Sequence, residues 1–153
     1  MNSPAITPLG FQHAGVVVSD LGRSVEFYRD MFGAEVQVRL DGLGGPELSA
    51  IYDLPDVEYS LAILSLSTGA VELIEFKTPA DGNIPQRRTC DLGSAHIAIQ
   101  VTDVHAAFDA LSARGMVMVA QPLHIDDGPA TGMRLAYGLD PDGNRIEIMQ
   151  LPG

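Results

Sequence analysis

Two histidines open two similar stretches of a 153-residue chain, and a glutamate lies toward the end of the segment that each begins. His13 starts HAGVVVSDLGRSVEFYRDMFGAEV and His96 starts HIAIQVTDVHAAFDALSARGMVMV. Aligned on the histidines, Asp20 and Asp103 both follow seven residues later, Gly33 and Gly115 close the next segment, and Glu72 and Glu147 lie 59 and 51 residues on. One unit used twice puts an imidazole and a carboxylate at equivalent points of each half. Two His and two carboxylates can enclose one divalent ion, and mixed nitrogen and oxygen donors suit Zn, Ni, Co, Mn or Fe better than Ca or a thiolate-seeking metal.

Strand geometry separates the acids. In AVELIEF, Glu72 and Glu75 differ by three positions and so point to opposite faces. Glu72 matches Glu147 in setting, V-E-L against I-E-I, and is assigned inward; Glu75 is the weaker alternative. A carboxylate on an apolar strand is costly to desolvate without a counter-charge, which a metal ion would supply. His105 and His124 have no symmetric counterpart and read as helix-surface and loop residues. Glu58 shares a face with Ser60 and Ala62, which makes Glu58 and Ser60 candidates for substrate contact or a second base. Arg87 and Arg88, just before the His96 strand, form a small basic patch that could meet an anionic substrate.

These side chains need a frame. Leu21, Val25, Tyr28 and Phe32 repeat at helical spacing after the capping pair Ser19 and Asp20, which predicts a helix over 21–32 ended by Gly33. Strands are expected at FQHAGVVV, AEVQVRL, YSLAILSLS and AVELIEFK, the last two joined at Thr68-Gly69, with a short helix at ELSAIYDL over the mouth. Module two repeats this order. SAHIAIQV is a strand, and Asp103 caps a helix with Val104, Ala107, Phe108 and Leu111 on one face. MVMVAQP, GMRLAYGL and NRIEIMQL complete the set, with DPDGN as the last turn. The expected fold is α+β: one domain over 1–153 in which two tandem βαβββ modules, about 10–79 and 93–151 with a link at about 80–92, form an eight-stranded open cup around a metal site.

Composition narrows the partners. A formal charge of −11 disfavours phosphate backbones, so nucleic acid is not expected. No run of apolar residues is long enough for a membrane span, and no basic stretch leads into an apolar one at the N-terminus, so a cytoplasmic address is expected. The single cysteine, Cys90, reads as an ordinary connector thiol.

The stretches HAGVVVSDLGRSVEFYRDMFGAEV, YSLAILSLSTGAVELIEF, GSAHIAIQV and DPDGNRIEIMQ resemble the vicinal oxygen chelate superfamily, which includes glyoxalase I, methylmalonyl-CoA epimerase, bleomycin-binding proteins and extradiol dioxygenases. The resemblance covers residues 10 to 151. It implies paired modules around one metal held at His13, Glu72, His96 and Glu147. Four occupied ligand positions resemble glyoxalase I more than the dioxygenases, although Val17 stands where bacterial glyoxalase I carries an arginine for glutathione. The resemblance thus implies a metal-dependent lyase or isomerase that moves a proton next to a chelated carbonyl of a small substrate, with Glu147 and then Glu72 as catalytic bases. The alternatives are an Fe(II) dioxygenase and a drug-binding resistance protein. A homodimer is expected, since family members often pair modules across subunits and the chain has abundant apolar strand surface.

Overall fold

The computed structural model describes residues 5–82 and 88–153. Module one runs β1 (Ala14–Val17), α1 (Leu21–Phe32), β2 (Glu35–Gly44), α2 (Pro46–Tyr52), β3 (Glu58–Leu66) and β4 (Gly69–Thr78). Module two runs β5 (His96–Gln100), α3 (Val104–Ala113), β6 (Val117–Met118), β7 (Leu123–His124), β8 (Arg134–Leu139) and β9 (Arg145–Gln150). The fold is α+β with two sheets, ordered β1-β4-β3-β2 and β5-β9-β8-β6, β7 also pairing with β8. Neither sheet closes into a barrel. In each module the first and last strands run parallel, with the helix in the crossover between them.

The helix starts are built twice in the same way. Asp20 accepts from the Arg23 amide at 2.9 Å, and Asp103 accepts from the His105 and Ala106 amides at 2.9 and 3.0 Å. A second acceptor comes from the module's last strand: Glu75 takes the Leu21 amide at 3.2 Å, and Gln150 takes the Val104 amide at 3.1 Å. These bonds satisfy donors that a helix start leaves open. Gly33 ends α1 at φ 67°, a left-handed backbone that a Cβ would strain.

Both modules share one apolar core. Leu21, Val25 and Tyr28 of α1, Leu64, Val71 and Leu73 of sheet one, Val104 and Leu111 of α3, and Ile146 and Ile148 of β9 are buried in a single cluster. These sheet residues all lie on the helix-covered faces. The modules are also tied by polar bonds, because Asp142 in the last hairpin turn accepts from the Ser19 amide at 2.9 Å, the Ser19 hydroxyl at 2.6 Å and the Arg23 guanidinium at 2.6 Å.

The sequence reading differs from the structure at several places, the longest of them β2, which runs on to Gly44 past the expected AEVQVRL. β1 begins at Ala14 rather than near residue 10, so His13 immediately precedes it. β3 and β4 are joined by Ser67-Thr68, one residue earlier than expected, with Leu66 opposite Gly69. The edge of sheet two, expected as one strand at MVMVAQP, keeps only β6 from that stretch, and β7 is a further short strand beyond it, which makes nine strands among the described residues rather than eight. Pro122 lies in the break, and proline has no N–H for the ladder. Pairing resumes beyond it, where Leu123 lies opposite Leu135 and His124 opposite Arg134, so His124 is a strand residue and not a loop residue. No helix among the described residues is long and apolar enough to cross a membrane.

Candidate functional site

Register places the four ligand candidates in two identical arrangements. Gly15 lies opposite Glu72 and Ala98 lies opposite Glu147, so each histidine sits two positions before the residue facing its glutamate. Two positions along a strand return to the same face. His13 Nε2 is 3.2 Å from Glu72 Oε2, and His96 Nε2 is 3.0 Å from Glu147 Oε2. The acids are the better-buried partners, their side chains 16% and 12% exposed against 33% and 44% for the imidazoles. The Nδ1 atom of His13 is hydrogen-bonded to the Gln12 side-chain oxygen, which orients the ring so that Nε2 faces the carboxylate.

Glu75 is on the other face. Its carboxylate caps α1 through Leu21 and pairs with Lys77, so it takes no part in the His13 arrangement. Ser60 lies directly opposite Glu75, is buried, and accepts from the Gly42 amide at 3.2 Å. It therefore sits on the face away from Glu72, which corrects the expectation that it lines the site. Glu58 is exposed at the start of β3 and lines a hollow of about 750 Å³ beside α2 that contains none of the four ligand candidates. Arg88 is bound to Asp91 at 2.7 Å and contacts neither His–Glu pair. Arg87 lies outside the described residues.

Each pair stands on the sheet face turned away from the shared core. Around Glu72 that face carries Ile63, Ile74 and an aromatic group in which Tyr52 of α2 meets Tyr59 and Phe76 edge-on at 5.1 and 5.3 Å. Burial, the Tyr59 hydroxyl and the Glu72 charge push the Tyr52 phenol up to about 12. Around Glu147 the face carries Tyr137, Arg145 and Met149. Tyr137 lies directly opposite Glu147, and its ring meets His96 edge-on at 5.6 Å and 86°. Burial raises its pKa first, followed by the Glu147 charge and a hydrogen-bonding interaction with that carboxylate. The sequence held a signal for this residue: residues 137 and 147 are equidistant from the centre of the DPDGN turn, and a hairpin pairs such positions.

The two pairs do not meet within one chain. Among the described residues no three His, Cys, Asp or Glu side chains come together. A cleft of about 1000 Å³ takes His96 into its wall without the other three. Both pair-bearing faces also keep apolar side chains in solvent: Val17 at 60%, Val38 at 40% and Leu40 at 45% on sheet one, and Val117 at 62%, Val119 at 51% and Leu123 at 57% on sheet two. Such surface marks a face meant for a partner or ligand. The donors fit a divalent ion chemically, since in each pair an imidazole nitrogen and a carboxylate oxygen already face each other, but each face supplies only two of four ligands.

Comparison with known proteins places this geometry. The model of the Glyoxalase/Bleomycin resistance protein/Dioxygenase superfamily matches residues 10–148. A 2-epi-5-epi-valiolone epimerase of Actinomyces sp. is 34% identical over 145 residues, covering 92% of this chain and 78% of that protein. A probable lactoylglutathione lyase of Vibrio parahaemolyticus is 30% identical over 145 residues, covering 90% and 88%. The crystal structure of a glyoxalase family protein from Bacillus cereus superposes with a TM-score of 0.84 at 18% identity, covering 99% of this chain and all of that one.

Proposed function

The chain belongs to the Glyoxalase/Bleomycin resistance protein/Dioxygenase superfamily, and from that premise we propose that it is a metal-dependent isomerase that moves a proton at the carbon next to a chelated carbonyl. The observation that carries this reading is the doubled His–Glu pair, with the same register in both modules and each pair on the face opposite the core. Because each face holds half a ligand set, the site is read as joining two copies: His13 and Glu72 of one subunit face His96 and Glu147 of the other. The exposed apolar residues on both faces are the surface such a homodimer would bury.

One divalent ion of the Zn, Ni, Co, Mn or Fe type held by these four side chains would supply Lewis-acid polarisation of a carbonyl whose neighbouring oxygen also chelates. The protein's own contribution is proton handling. Glu147 accepts the proton from the carbon beside the carbonyl, so that one C–H bond breaks and its electron pair passes toward the carbonyl oxygen. Glu72, which approaches from the other subunit's sheet, takes a proton from solvent water and delivers it to the opposite side of the same carbon, which inverts the centre, and Glu147 then releases its proton to water so that both carboxylates return to their starting state. The aromatic wall of Tyr52, Tyr59 and Phe76 beside Glu72 suits the carbon skeleton of a small ring. Similarity to an epimerase whose name specifies a valiolone favours a polyhydroxylated cyclic ketone with a hydroxyl next to the carbonyl.

The test is deuterium incorporation from heavy water into such ketones, with hemithioacetals and acyl thioesters alongside, by protein purified without a metal-binding tag and assayed for metal. The expected result is one equivalent of metal per chain and metal-dependent exchange without oxygen uptake. Ring cleavage of catechols with oxygen uptake, or tight drug binding by metal-free protein without exchange, would overturn the reading.

A further inference from the structure

The two half-sites share one backbone plan and differ in one neighbour. Opposite Glu72 on the adjacent antiparallel strand stands Ile63, which has no hydrogen-bond donor. Opposite Glu147 stands Tyr137, a phenol whose ring also rests edge-on against His96. Tyr52, the phenol that senses the charge of Glu72, stands on α2 against Tyr59 at a ring separation of 5.1 Å and not on the strand that faces Glu72. Only the second pair therefore has a donor directly beside its carboxylate on the cross-strand position.

We propose that Tyr137 is a positioning residue that makes Glu147, and not its twin Glu72, the carboxylate that withdraws from the ligand set and takes the substrate proton. This rests on the reading that the four side chains hold a metal and move a proton. A carboxylate that leaves a cation inside a protein needs somewhere for its charge to go. A phenol O–H across the strand provides that second resting place, because a hydrogen bond to an ionised acceptor is stronger than one between neutral groups. Ile63 gives Glu72 no such place, so Glu72 stays a ligand while Glu147 takes the substrate proton. The edge contact with His96 also keeps the Tyr137 ring beside the second pair.

Tyr137→Phe keeps the ring and its contact with His96 and removes only the hydroxyl, so it is suited to a folded comparison. Two readouts are needed. In the metal-loaded protein, the deuterium-exchange kcat should fall about 10- to 100-fold, the range typical when a residue orienting a metal ligand is removed, with KM nearly unchanged and metal content still one equivalent per chain. In metal-free protein with ¹³C-labelled glutamate, the Glu147 carboxyl resonance should move in the variant while that of Glu72 stays in place. An exchange rate within twofold of the parent, a loss confined to KM, or an unmoved Glu147 resonance overturns the proposal. Absence of metal binding and exchange in the unsubstituted protein would instead sink the reading beneath it, and the carboxyl resonances alone would then decide whether Tyr137 holds Glu147.

Discussion

If each metal site takes one His–Glu pair from each of two subunits, two dead variants should revive each other. In a His13→Ala homodimer both sites lack their first-module imidazole, and in a His96→Ala homodimer both lack their second. A mixed dimer is different: one of its sites carries both lesions, and the other draws His13 from one chain and His96 from the other and is intact. Unbiased reassortment makes about half of the dimers mixed, each with one good site in two, so the mixture should recover about a quarter of parental activity and metal content. The pairs lie on exposed faces away from the shared core, so neither substitution should cost much fold stability. The assay is subunit exchange in mild denaturant, with unsubstituted protein treated in parallel, followed by metal analysis and deuterium exchange. Recovery near zero, with the parallel control fully active, would refute sites shared between subunits, as would sedimentation showing only a 16.3 kDa species.

Two further outcomes follow from the bonds around the helices. Asp142→Ala removes three acceptor contacts and leaves the Ser19 donors unmatched, so urea titration should show a loss of about 2–4 kcal/mol, whereas Arg23→Ala, whose side chain is 47% exposed, should cost under about 1 kcal/mol. Burial pushes the Asp142 carboxyl up, but its bonds from Ser19 and Arg23 outweigh this and hold it below the usual carboxylate range. Its contribution is therefore present above the unfolded carboxyl pKa and is lost as pH falls through the lower folded value, and Asp142→Asn should flatten that acid limb. Glu75→Gln should leave metal content unchanged and stability within about 1 kcal/mol, because Gln150 already does the same capping task with an amide, while Glu72→Gln should lose the ion.

The parts of the fold that sequence made legible are those governed by local chemistry. Asp20, Asp103 and Gly33 declare their helix ends, and the apolar stripe from Leu21 to Phe32 declares the face that packs. The repeat itself exposed the His–Glu spacing. What stayed hidden depends on pairing. Alternation grouped Ser60 with Ala62, but only the register of β3 against β4, with Ser60 opposite Glu75 and Ala62 opposite Leu73, tells which side of the sheet they occupy. Likewise no pattern in one chain says whether two half-sites close on each other or on a second copy, since both solutions use the same strands. The split of the sheet-two edge at Pro122 has a local cause, proline's missing donor, which the apolar run from Met116 to Ala120 masks.

The parallel pairing of first and last strands also sets when the site comes into being. The β3–β4 and β8–β9 hairpins join neighbouring segments, whereas Gly15 and Glu72 meet across 57 positions and Ala98 and Glu147 across 49. Closing the larger loops costs more chain entropy, about 0.6 kcal/mol for each doubling of length, and long-range pairing is the slow part of folding. By that entropy cost the hairpins are expected to form first, and each imidazole would reach its carboxylate when β1 or β5 docks beside its hairpin. On that order the His–Glu pairs would be the last contacts each module completes, and an ion held by two pairs would bind only chains in which both modules have folded.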